Sequence, residues 1–481
     1  MKVSKQPFIE HYHDLNGIKF VDNWQMGIHT LPFSSNISTS VYDKQSSLQS
    51  TVGQFVRQLL ADGSQPIVNF EQSVLKAVEN YLRIKHNMPD EQINQFLQIV
   101  KDVFDVNGNL NIADTSFYKY VPIIPDDSQF SDKDKRKYID GLKKIADYLV
   151  SMFKEDIINL NEKDSNNLFL EIVSKAISSK VFESNNSQVA KKIYTIPQYI
   201  KDTFTNDLKW LLMQNEQIKI QYMHLLLHFY ACYSVTQTLF LLSSNKVKQE
   251  DLSHPEPLYF ILTTEIASQN HDAIKYGWPK KIQEPKILEK LYGKMQALDI
   301  INTVLGKNIG FYPDVINTLS ETPIEDNKEI LEEILKQYII EKTALLNERK
   351  NEKERQINDF DTSFSSYEEF LNKLEKYCIE LQSKDYKRFK KKITDIMHIH
   401  FLSSRRGNDV LVLDHEMLSF LIILTTKGRK VKLEDMYKNF NTYGIYFNRG
   451  TRFAIEEYLL KMNLLDRKSD SGEVQYVRTI L

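Results

Sequence analysis

Arg449 and Arg452 stand three residues apart at the start of a predicted helix, so both guanidinium groups lie near one face. Arginine in that position suits base edges and phosphates, because its planar fork of donors matches paired acceptors. Upstream, Lys387-Arg388-Phe389-Lys390-Lys391-Lys392 sets five cations in six residues. Arg388, Lys390, Lys391 and Lys392 are candidate phosphate contacts, although a lysine-rich helix face is also commonly just solvated. Arg467, Lys468 and Arg478 complete the candidate DNA-contacting set, on a predicted hairpin at the C-terminal end.

Other residue patterns have the types for chemistry but lack its spacing or partners. His224 and His228 are spaced i, i+4, which can hold zinc on a helix, but no glutamate follows His224 and no third ligand is near. Two histidines satisfied within a core suit the same spacing. His398 and His400 bracket Ile399 and share a side only on a strand; His11 and His13 have the same spacing. Asp272 with Glu284-Pro285-Lys286 has the residue types of a metal-dependent nuclease. That site needs its carboxylates on adjacent strands, and Asp272 falls on a predicted helix. An EF-hand counted from Asp105 puts Leu110 and Ser116 where Gly and Glu belong. The phosphate-loop pattern is absent: Gly293-Lys294 and Gly306-Lys307 lack the upstream glycine, and neither a dinucleotide fingerprint nor HExxH occurs. The expectation is a non-enzymatic chain with no cofactor, no metal and no catalytic residues.

The elements that position the arginines belong to a 481-residue chain. Its 15 glycines and 13 prolines are too few for the turns of a sandwich or barrel, so a mainly α chain is expected. Two cysteines, Cys232 and Cys378, form no framework, and the N-terminus shows no apolar leader. Both point to the cytoplasm. No Asp, Glu, Lys or Arg occurs between Lys219 and Lys246, a length that could span a bilayer. The same stretch carries Gln221, His224, His228, Ser234, Thr236, Gln237 and Thr238, so the reading is a buried central helix and no membrane contact.

Five segments follow. Residues 1–50 read as irregular, 51–200 as a helical domain and 201–325 as a central helical core. Residues 326–405 read as a charged helix followed by a basic one, and 406–481 as a separate module. Within the core, a helix is expected over about Leu258–Tyr276. Charge is uneven: residues 384–481 hold 19 Lys and Arg against 12 Asp and Glu, a net of +7, leaving −9 on residues 1–383.

The last module has a readable order. Asp414 caps a helix over Glu416–Thr426, Lys430-Val431-Lys432 is a short strand, and a helix over Leu433–Phe440 follows. A turn holds Gly444, a third helix runs from about Gly450 to Met462, and strands flank Asp470-Ser471-Gly472. Helix, strand, helix, turn, helix, hairpin is the order of a winged helix-turn-helix. Glu456-Glu457 on the third helix would repel phosphate if it faced a groove.

The run Tyr443-Gly444-Ile445-Tyr446-Phe447-Asn448-Arg449 and the segment from Lys461-Met462-Asn463-Leu464-Leu465-Asp466-Arg467-Lys468 to Glu473-Val474-Gln475-Tyr476-Val477 resemble the C-terminus of the DptG family of DNA phosphorothioation-dependent restriction proteins. The good part of the resemblance covers under a tenth of the chain, with looser likeness at Tyr259 to Trp278 and at Leu31-Pro32-Phe33. It implies a subunit of a bacterial anti-phage defence system that works with ATPase-bearing partner subunits. It supplies no catalytic residues. The combined expectation is a multi-helical body with a C-terminal winged helix-turn-helix that scaffolds the ATPase subunits and holds double-stranded DNA. The alternative is a protein–protein adaptor whose winged helix docks a partner and does not touch DNA.

Overall fold

Apolar residues at helical spacing and scarce chain breakers build a mostly helical protein. The computed structural model describes residues 3–13, 28–29, 46–60, 66, 71–106, 109–110, 112, 114–122, 131–153, 168–178, 193–194, 196–243, 253–265, 271–276, 285–307, 309–348, 360–381, 394, 397–398, 401–405, 408–467 and 475–478. In chain order the helices are α1 (Gln6–Tyr12), α2 (Ser46–Leu60), α3 (Lys76–His86), α4 (Asp90–Phe104), α5 (Asp132–Met152), α6 (Leu168–Ser178), α7 (Gln198–Leu212) and α8 (Glu216–Ser243). They continue with α9 (His271–Lys275), α10 (Pro285–Leu305), α11 (Tyr312–Ser320), α12 (Glu325–Asn347), α13 (Tyr367–Glu380), α14 (His415–Thr426), α15 (Leu433–Thr442) and α16 (Arg449–Lys461). The strands are short: β1 (Ile28–His29), β2 (Asp105–Val106), β3 (Asn109–Leu110), β4 (Ile193–Tyr194), β5 (Leu258–Tyr259), β6 (Ile261–Leu262), β7 (Leu402–Arg405), β8 (Asn408–Leu413), β9 (Val431–Lys432), β10 (Ile445–Tyr446), β11 (Leu465–Arg467) and β12 (Gln475–Val477).

The chain divides into two units. The first takes Pro32–Lys191 and Ile200–Tyr233. Its core is aromatic: Phe104 lies 4.8 Å from Phe117 and Phe204 4.8 Å from Tyr230, ring centre to ring centre. The buried Asp207 carboxylate accepts the Tyr230 hydroxyl at 2.5 Å, which answers the cost of burying that acid. Arg57 is buried and donates to the carbonyls of Lys119 and Val121, both at 2.9 Å. Burial lowers its guanidinium pKa to about 10.

The second unit takes Met1–Leu31, Lys192–Tyr199 and Ser234–Leu481. Residues 1–50 were expected to be irregular, yet α1 forms there. Pro7 pre-sets the first turn, and Phe8 and Tyr12, one helical turn apart, are both fully buried. Tyr12 donates to Asp299 Oδ2 at 2.6 Å, and the Val3 amide donates to Asn327 Oδ1 at 3.0 Å.

Leu258–Tyr276 does not form the single helix expected there. In place of one helix the chain makes β5, β6 and the short α9. An apolar run of this length suits either a buried helix or a buried strand, and backbone pairing decides it. β5 pairs in parallel with β10, and β6 in parallel with β8, whose other edge is closed by antiparallel β7. Pro255 and Pro257 already bias the incoming chain toward extended backbone.

The charge-free stretch is helical as expected. From Leu225 to Leu241 every residue of α8 is buried. Among the described residues no helix is long and apolar enough to cross a membrane. Gln237 holds the incoming chain at Glu256 with a pair of hydrogen bonds: its Oε1 accepts the Glu256 amide at 2.8 Å, and its Nε2 donates to the Glu256 carbonyl at 2.9 Å.

Candidate nucleic-acid interface

Residues 414–478 build around one small core. Asp414 Oδ1 accepts the Met417 amide at 2.8 Å and starts α14, whose inner face buries Met417, Leu418, Phe420, Leu421 and Leu424. Lys427 takes the left-handed conformation and ends the helix, with its amide bonded to Ile423 and Leu424 carbonyls. α15 buries Leu433, Met436, Tyr437 and Phe440, one stripe at helical spacing. Phe447 meets Phe440 edge-to-face at 5.2 Å and so sets the turn between α15 and α16. Behind them lies a three-stranded antiparallel sheet in the order β11-β12-β9.

The start of α16 is well anchored. Asn448 Oδ1 caps it by accepting the Thr451 amide at 2.9 Å. Thr451 is fully buried, and its hydroxyl donates to Glu265 Oε1 at 3.1 Å, while Glu265 Oε2 accepts the Leu262 amide at 2.6 Å. One carboxylate therefore ties the helix start to the end of β6, a link with no local signature in sequence.

Arg449 is exposed at the first turn of α16. Arg452 is half-buried and already engaged. Its guanidinium carbon lies 4.7 Å from the Tyr437 ring centre, and its Nη1 is 4.0 Å from Glu434. In exchange Tyr437 donates its hydroxyl to the Arg452 carbonyl at 3.1 Å, and burial pushes the phenol pKa up. Arg478 follows β12 and is clamped by Asp466, which also accepts Lys430 Nζ at 2.6 Å. These two cations hold the Asp466 carboxyl down at about 2. Arg467 pairs through its backbone with Gln475; its side chain lies outside the described residues, as do Lys468, Arg388, Lys390, Lys391 and Lys392.

The structure adds cations that motif reading passed over. Lys427-Gly428-Arg429-Lys430-Val431-Lys432 carries four cations in six residues, with Arg429 and Lys430 exposed just before the edge strand β9 and Lys432 exposed on it. That density is legible in the sequence itself, where the segment reads as a helix stop and a short strand. The exposed side of α16 is mixed: Arg449 is followed by Phe453, Glu457, Leu460 and Lys461. Phe453 is 62% exposed and Leu460 42%, and Met462 just beyond the helix is 55% exposed.

His228 is buried with Nε2 3.7 Å from Cys232 Sγ, and His224 is half-buried. Among the described residues no three His, Cys, Asp or Glu side chains gather as a metal site. His13 Nε2 meets Glu341 at 2.9 Å and His11 Nε2 lies 3.5 Å from Asp299, so both sit against acids within the helical body. His398 Nδ1 faces the Leu402 carbonyl at 3.3 Å; His400 lies outside the described residues. Asp272 sits in the first turn of α9, and Glu284 lies outside the described residues. Both cysteines are buried free thiols, and burial pushes the Cys232 pKa up.

No family model matches the chain, and no curated protein matches it.

Proposed function

We propose that residues 414–478 are a winged helix-turn-helix that binds double-stranded DNA in a non-catalytic scaffold subunit. The observation that carries this reading is the arrangement itself. Helix, strand, helix, turn, helix and hairpin are closed by a sheet in the order β9-β12-β11, with Arg449 exposed where the third helix begins. Arg449 and Arg452 face the groove, and Arg429, Lys430, Lys432 and Arg478 hold flanking phosphates. The resemblance of residues 443–449 and 461–477 to the DptG family supports a place in a phosphorothioation-dependent restriction complex beside ATPase subunits, in the cytoplasm. The test is binding of the full chain to a labelled duplex across a salt series. Log affinity should fall linearly with log salt, and Arg449→Glu should weaken binding by about tenfold at low salt. A flat salt response sinks the DNA reading.

A second reading has its own observation. Phe453, Leu460 and Met462 place large apolar side chains in solvent on and beside α16, which a phosphate-facing helix does not need. In that reading the helix docks a protein partner. Phe453→Asp then abolishes capture of the ATPase subunits and leaves any duplex affinity intact, whereas in the first reading Arg449→Glu weakens duplex binding and leaves capture intact.

A further inference from the structure

Within the second unit, α10, α11 and α13 line a half-open cavity of about 430 Å³. α10 and α13 approach closely at Gly293, where a Cβ would stand 2.9 Å from the Ile379 amide nitrogen. Beside that approach the Lys294 side chain is buried. Its Nζ lies 3.6 Å from Glu375 Oε1 and 5.9 Å from the Tyr312 ring centre. Burial pushes the Lys294 pKa down and the Glu375 pKa up, each toward its uncharged form. An ion pair this buried stabilises poorly against a hydrophobic pair of the same volume, so its presence in a cavity wall asks for another role.

The lining charges balance. Lys290, Lys294 and Lys376 face the space, and so do Glu368, Glu375 and Glu380. A free anion entering would meet three carboxylates, and a free cation three ammonium groups. Within the wall Lys294 pairs with Glu375 and Lys376 lies 4.0 Å from Glu380, and a molecule carrying both signs matches this alternation. Ile316, Leu371 and Ile379 supply the apolar part of the wall. The volume suits a small molecule, not a peptide.

We propose that this cavity binds a small zwitterion of the α-amino-acid class with an apolar side chain, its carboxylate met by the lysines and its ammonium group by the glutamates. The site stands apart from the DNA reading and does not depend on it. The experiment is isothermal titration of the full chain with L-leucine, beside 4-methylpentanoate, which lacks the amine, and 3-methylbutylamine, which lacks the carboxylate. Leucine should bind at least tenfold more tightly than either. Lys290→Ala, at an exposed position on the cavity wall, should weaken leucine at least fivefold with an unchanged thermal midpoint. Lys294→Met should abolish binding, and the Lys290 variant decides the matter if Lys294→Met does not fold. Absence of leucine binding, equal binding of a single-charge analogue, or leucine affinity untouched in Lys290→Ala each overturns the proposal.

Discussion

Asp466 is the residue on which the charge of the C-terminal module turns. It lies between Arg478 and Lys430 and competes with any phosphate for both. Asp466→Asn should therefore raise duplex affinity several-fold at low salt if the hairpin contacts DNA, and leave it unchanged if the module docks only protein. The same carboxylate carries a pH signature. Its folded pKa of about 2 lies below the ordinary value of about 3.9. A depressed acid contributes stability above its unfolded pKa and loses it as pH falls through the folded one. Urea midpoints of wild type and Asp466→Asn should thus differ at pH 7 and converge near pH 2. Of these residues, Arg449, Arg452 and Arg478 were legible as cations in sequence. Their partners Glu434, Tyr437 and Asp466 were not, because each pairing depends on how the helices and hairpin pack.

At the scale of elements, the turn between α15 and β10 shows what close approach demands. Gly444 has φ +70°, and a Cβ there would stand 2.6 Å from the Glu256 carbonyl oxygen and 2.9 Å from Pro255 Cβ. Gly444→Ala combines a left-handed strain with a clash against backbone, and should destabilise by about 2–4 kcal/mol, read by denaturant midpoint. Gly306→Ala is the control: it is also left-handed, at φ +59°, but its Cβ would meet nothing within 4 Å, so about 1 kcal/mol is expected. Helices α14, α15 and α16 were legible, since each has a cap or a helical stripe in its own sequence. The strands β5 and β6 were not, because Leu258–Leu262 carries an apolar run whose form is settled by β10 and β8, far along the chain. α1 is not legible for a similar reason: Tyr12 is received by Asp299 on α10 and the preceding Val3 amide by Asn327 on α12, both far along the chain.

At the scale of the molecule, residues 406–481 are expected to depend on a segment far upstream. β5 supplies the parallel partner of β10, β6 that of β8, and Glu265 the acceptor of Thr451. Ile261 and Ala273 also share a buried cluster with Val410 and Val412. Cutting the chain before residue 401 removes all of these at once and keeps β7. It leaves β8 with an unpaired edge, opens the apolar cluster and strands a buried hydroxyl. A fragment of residues 401–481 should then show a poorly dispersed amide spectrum and no cooperative melt. Residues 253–276 joined to 401–481 through a flexible linker should recover both. If the short fragment melts cooperatively at the midpoint of the joined one, the upstream strand is dispensable and the module is autonomous. The distinction reaches function, because Glu265 anchors the first turn of α16, where Arg449 is presented. DNA affinity measured on the short fragment should therefore fall below that of the full chain even if every proposed contact residue is present.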